Sequence, residues 1–172
     1  MDSTTSTPDL IAASALLFRV GANLYGCDIS AAQEIIPLRR ITRLPGAPPF
    51  VRGLINMRGT IVTVLDLGMR LDPSRAPITD GSILLVRHRE RLVGLIVEEV
   101  ADVRALDVEP REEGIVRGVA TVGDAGAESD EGVEAVEGAE GKDGMAADLS
   151  DGERQAVVLL DLEFLFKQVL LS

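Results

Sequence analysis

With 172 residues the chain is long enough for one ordinary domain that buries roughly two-thirds of its unfolded surface. Hydrophobic residues make up 46% of it but aromatics only 3%, so the core must be aliphatic, a composition that favours strands. The formal charge of -11 is local: eleven acids lie from Asp124 to Glu153 against Lys142 alone. The remainder, with 16 basic and 17 acidic residues, is nearly neutral and offers no clustered positive surface for nucleic acid.

One cysteine, Cys27, excludes an internal disulfide, and with a single histidine, His88, no His/Cys metal cluster has a recognised spacing. This suits a reducing cytoplasm. No apolar run approaches the roughly 18 residues needed to span a bilayer, so direct membrane insertion is not expected. Phosphate-loop, dinucleotide, zinc-protease and serine-elbow motifs are missing from the sequence, which points away from catalytic residues, cofactors and metals.

In chain order, Met1 to Pro8 is Ser/Thr-rich without the pattern of a secretory signal, and residues 1–15 read as a disordered tail. Leu16–Val20 and Leu24–Ile29 are apolar runs joined by Gly21-Ala22-Asn23, a hairpin pattern. Ser30-Ala31-Ala32-Gln33 has the form of a capping box, yet Pro37 stops any helix early, so a turn or bulged strand is expected. Pro48–Gly53, with proline at the start and glycine at the end, predicts a short helix. Asn56-Met57-Arg58-Gly59 is a turn before the strand Thr60–Leu65. Asp66 then stands where it can cap a helix over Leu67–Leu71. Asp72–Gly81 reads as a connector.

The second half repeats the first. Leu16–Ile35 lies over Leu84–Val103 without a gap, Phe50–Leu54 over Ile115–Val119, and Val64–Leu67 over Leu159–Leu162. Three matches in one order imply duplication. Ile83–His88 and Leu92–Val97 thus form a second hairpin, and Ala156–Leu160 a strand whose following Asp161 caps a helix from Leu162 to Leu171. Short strands at regular spacing in two matching sets predict two small barrels sharing an apolar interface, the first at about 16–80 and the second at about 81–166. Residues 125–153 interrupt the second set with Gly, Ala, Glu and Asp, and read as an acidic disordered insertion rather than an acidic docking strand for the arginine-rich first half.

Leu44-Pro45-Gly46-Ala47-Pro48-Pro49-Phe50-Val51-Arg52-Gly53-Leu54-Ile55-Asn56-Met57-Arg58-Gly59, then Val62-Thr63-Val64-Leu65-Asp66-Leu67, resembles the CheW family, as do Tyr25-Gly26-Cys27-Asp28-Ile29 and Gln33-Glu34-Ile35. The resemblance runs from about Leu16 to Phe166 as a single domain, with 167–172 as the end of a C-terminal helix. It implies an all-β fold of two intertwined SH3-like five-stranded barrels with short helices. It also implies a cytoplasmic, non-catalytic bacterial adaptor for signal transduction in chemotaxis, recruited to membrane-associated chemoreceptor arrays. Its implied partners are the regulatory domain of the histidine kinase CheA, the cytoplasmic tip of a methyl-accepting chemoreceptor, and other CheW-like domains.

On this resemblance Glu34 and Arg58 are the polar contacts to receptor or kinase and pair with each other; Gly53, Ala32, Ile35 and Gln33 accompany them, and Val93 and Gly94 are further kinase-contact candidates. Ala32 departs from the family's more frequent valine, and Gly53 matches a glycine at a backbone turn. The same adaptor serving a non-flagellar array, controlling pili, development or a second messenger, is the alternative. A small barrel enzyme or ligand carrier is the competing class; it would need a deep cavity joining Glu34, Arg58 and His88.

Overall fold

The structure, a computed structural model, describes residues 9–123 and 154–170, the side chains of Gln168 and Leu170 excepted. The expected insertion at 125–153 and the first residues of the tail therefore lie outside the described residues. Ten strands fall in the order β1 (Ile11–Val20), β2 (Asn23–Asp28), β3 (Ala32–Pro37), β4 (Val51–Met57), β5 (Thr60–Asp66), β6 (Ser82–His88), β7 (Arg91–Val97), β8 (Glu99–Glu113), β9 (Val116–Val122) and β10 (Gln155–Leu160). Helix α1 (Leu67–Leu71) follows β5 and helix α2 (Leu162–Leu170) follows β10.

Pairing crosses the halves reciprocally. β1 and β2 join β8, β9 and β10 in a closed barrel, while β6 and β7 join β3, β4 and β5 in a five-stranded sheet of order β3-β6-β7-β5-β4. The expected division near residue 80 therefore does not separate the two units, because each hairpin β1–β2 and β6–β7 is inserted into the other half's strands. The registers are equivalent as well. Tyr25 pairs with Val158 in the parallel β2–β10 ladder and Val93 with Thr63 in the parallel β7–β5 ladder; Leu16 pairs with Val103 and Leu84 with Ile35. Each pair maps onto the other under the sequence repeat, so the duplication carries through to backbone geometry.

This arrangement explains the unbroken apolar runs. In β1, Ala15 and Leu17 point into the closed barrel beside Leu24, Leu106, Ala120 and Val157, whereas Leu16, Phe18 and Val20 join the core of the second sheet. A strand buried on both faces loses the alternation of a half-exposed one. At roughly 1.5–3 kcal/mol for each fully buried aliphatic or Phe side chain, this shared core outweighs any local preference. Cys27 lies in it too, its thiol pushed up to about 12 by burial and then by the charge of Asp28.

Two local expectations are corrected, and the turn or bulged strand expected at Ser30–Gln33 is found. β1 starts at Ile11, so residues 11–15 are strand rather than tail. Pro48–Gly53 is a turn, with Val51 N donating to Pro48 O at 2.9 Å, that leads directly into β4; the ladder to β5 from Val51 onward overrides the helix signal. At Ser30 the cap is supplied by Asp28, whose carboxylate accepts from Ser30 N at 2.9 Å above a 3-10 turn at Ile29–Ala31. The bulge expected there falls between Ala32 and Glu34. Unlike the closed barrel, the second sheet has no ladder between its outer strands β3 and β4, only the bridge of Thr42 to Leu54.

Asp66 caps α1 as expected, accepting from Met69 N at 3.0 Å, and does more. Its other oxygen accepts from Ile78 N at 2.8 Å and from Arg52 Nη1 at 3.0 Å, and Arg52 also donates to Ile78 O at 2.9 Å. The carboxylate is fully buried, so deleting it strands a guanidinium and two N–H groups. Asp66→Ala is expected to lower stability by about 3 kcal/mol in urea unfolding. Asp161→Ala, which removes a single cap bond to Phe164 N, should cost about 1 kcal/mol.

Candidate functional site

The chain brings Glu34 and Arg58 together across the open seam. Glu34 sits on the outer strand β3, and Arg58 in the two-residue turn joining β4 to β5, at the opposite end of the sheet order. Arg58 Nη1 donates to Glu34 Oε1 at 3.1 Å and Nη2 to Oε2 at 3.0 Å, a bidentate fork. The turn explains how Arg58 is aimed. Arg58 has φ 52° and Gly59 φ 90°, both in the left-handed region that a two-residue hairpin demands, and Asn56 Oδ1 accepts from Gly59 N at 2.8 Å. A non-glycine residue pays about 1 kcal/mol for that conformation.

The pair remains at the surface, with the Arg58 side chain 75% exposed and that of Glu34 37%. Arg58 holds the Glu34 carboxyl below its ordinary range, chiefly by hydrogen bonding, which outweighs the opposing desolvation, with a lesser contribution from its charge. Exposed ion pairs stabilise folds little. The geometry instead presents a charged fork on the rim of a shallow groove lined by Ile36, Pro37, Arg39, Asn56 and Met57.

Other expected residues divide by burial. Gln33 and Ile35 are exposed on β3 beside Glu34, Ile35 at 46%, while Ala32 is half-buried and packs on the core. Gly53 is buried with φ 140°, and a Cβ there would lie 2.0 Å from Thr42 O, so its part is to let β4 pass under the β3–β4 loop rather than to touch a partner. Val93 and Gly94 are corrected: both are buried in β7, hydrogen-bonded between β6 and β5, and offer no side-chain surface for a kinase contact.

Sequence reasoning missed Arg39, which lines the groove and donates from Nη1 to Met57 Sδ at 3.7 Å, and Ile61, 61% exposed opposite Asn56. Ile61 had a faint signal: it shares a strand face with Thr63, against Val62 and Val64. His88 is half-buried, its ring edge-on to Phe166 at 5.4 Å, in an opening beside Arg89 and Lys167 rather than with Glu34 and Arg58. The cavity required by the enzyme or carrier alternative is thus not formed by these residues. Among the described residues no three His, Cys, Asp or Glu side chains gather as a metal site, and no helix is long and apolar enough to cross a membrane.

Two five-stranded units exchanging hairpins, with a charged fork at an open seam, define a domain of paired β units. Residues 14–169 match the family model described as CheW-like domain, and the chain belongs to that family. It is 34% identical over 95 residues to the chemotaxis protein CheW of Klebsiella aerogenes, the match covering 55% of this chain and 57% of that protein. With CheW of Bacillus subtilis identity is 33% over 104 residues, covering 58% and 67%. Little more than half of the Klebsiella protein is therefore spanned. The crystal structure of the scaffolding protein TtCheW from Thermoanaerobacter tengcongensis superimposes with a TM-score of 0.64 at 26% identity, covering 93% of both chains.

Two measurements check this geometry. In carbon-detected NMR titration the Glu34 carboxyl should titrate at lower pH in the parent chain than in Arg58→Ala, so that the pair persists at neutral pH and is lost as pH falls through the lowered Glu34 value. Gly53→Ala should lower stability by about 3 kcal/mol, since neither its φ nor the Thr42 carbonyl admits a methyl group.

Proposed function

We propose that the chain is a non-catalytic scaffold that couples the cytoplasmic tips of chemoreceptors to the regulatory domain of the histidine kinase CheA, with further contacts to other CheW-like domains. The observation that carries this reading is the bidentate Glu34–Arg58 fork, exposed beside a groove and held by a turn in a costly conformation. Membership of the CheW-like family supports it, and so does the likeness to a protein described as a scaffold. A receptor tip is a helical bundle, and a groove lined by Ile36, Pro37 and Met57 suits one apolar helix stripe while the charges set its register. Gln33, Ile35, Arg39 and Ile61 are the neighbouring contacts in this reading. Recruitment through the receptor places the protein at membrane-associated arrays on the cytoplasmic side.

The test is co-precipitation with purified kinase regulatory domain and with receptor-tip fragments. Arg58→Glu should reduce capture of at least one of them about tenfold while the unfolding transition stays near that of the parent. The double exchange Glu34→Arg with Arg58→Glu separates the two parts the fork could play. If it restores an internal pair but not capture, the charges meet the partner directly. Undiminished capture by both single variants would dismiss the site.

A further inference from the structure

The two units treat their mouths differently. In the second, the connector before β6 folds across the end of the sheet and inserts Ile78, which is only 4% exposed. Its N–H donates to Asp66 Oδ2 and its carbonyl accepts from Arg52 Nη1. Under the repeat, Arg52 corresponds to Arg117 and Asp66 to Asp161. The local frame is reproduced too: Asp66 N donates to Phe50 O at 2.7 Å and Asp161 N to Ile115 O at 2.8 Å, and each carboxylate caps its helix at 3.0 Å.

What differs is the plug. Arg117 and Asp161 line one opening of about 790 Å³ at the mouth of the closed barrel, with Val116, Leu159 and Phe164 as its apolar wall. Among the described residues Asp161 Oδ2 accepts no hydrogen bond, and Arg117 makes no hydrogen bond, its charge acting only at longer range on Asp28, which lines the same opening. Ile78 lies six residues before Leu84, and Leu10 six before Leu16, so Leu10 is the counterpart of the plug. It does not fill the mouth. Ile11 to Ser14 are zipped onto β8, from the pair Ile11–Val108 to Ser14–Ala105, and leave Leu10 54% exposed.

We infer that this mouth docks an extended segment of another protein carrying one aliphatic side chain, its N–H donating to Asp161 and its carbonyl accepting from Arg117. Ile78 in the second unit is the template for that occupant. The segment must be extended, because only a chain without internal hydrogen bonds offers both backbone groups of one residue. It must be aliphatic, because the wall is built from Val116, Leu159 and Phe164. This site lies at the barrel mouth and not at the Glu34–Arg58 seam, so it stands or falls separately from the proposed coupling role.

The probe is an acetylated and amidated peptide reproducing residues 76–81, titrated into the full chain and followed by amide NMR. Saturable shifts are expected at Gly114, Arg117, Asp161 and Phe164, with none from the same peptide carrying Ile78→Asp. Arg117→Ala should weaken the binding about tenfold, as loss of a charge-assisted hydrogen bond does. Asp161→Asn, which keeps an oxygen to cap α2, should weaken it as well. Absence of shifts at millimolar peptide, shifts confined to the second unit, or indifference to Arg117→Ala would each overturn the inference. If the peptide binds only after Leu10→Ser, the chain's own N-terminus is the occupant and the inference also falls.

Discussion

The parallel pairing of β2 with β10 and of β7 with β5 is the constraint on which the rest of the structure depends. Each ladder joins a hairpin from one half of the chain to strands from the other, so neither half can complete its sheet alone. The consequence is a shared core in which Leu16, Phe18 and Val20 of β1 pack with Leu84, Val86 and Leu95 of the second sheet. Closing contacts so distant in sequence costs loop entropy before it returns packing energy, and the two units are accordingly bound to fold together.

The surfaces with a claim to function lie where the duplication is imperfect. β8 runs for 15 residues without a break and pairs with β9 to close its barrel, whereas the corresponding β3 stops at Pro37. The seam left between β3 and β4 is bridged by Thr42 with Leu54 and by the Glu34–Arg58 fork, and its groove follows from the missing ladder. At the mouths the asymmetry is reversed: the connector seals the open sheet through Ile78, while the closed barrel keeps its mouth.

Two arginine–carboxylate pairs then do different things because of where they stand. Arg52 with Asp66 is tied into a buried carboxylate that also holds a helix and a loop, and its loss removes structure. Arg58 with Glu34 is mostly in water, where Coulomb attraction is screened and a pair adds little to stability. Its geometry is nevertheless tightly prescribed by the turn, which suits recognition.

The sequence by itself determined six of the ten strands, β1, β2, β5, β6, β7 and β10, and the repeat. Aliphatic runs bounded by turn residues located both hairpins, Asp66 and Asp161 announced the helices, and the motif from Leu44 to Leu67 led to the family and to Glu34 and Arg58. These are local properties, carried by side-chain type and spacing. Only the tertiary structure decided which strands are neighbours, because an apolar run states that it will be buried but not against what. For that reason the division near residue 80 failed, and so did the helix at Pro48–Gly53, where pairing with β5 and the close approach of Thr42 to Gly53 overrode the local signal. Val93 and Gly94 were misplaced for the same cause: their sequence marks a strand, and its burial in the middle of a sheet is conferred by β6 and β5 on either side.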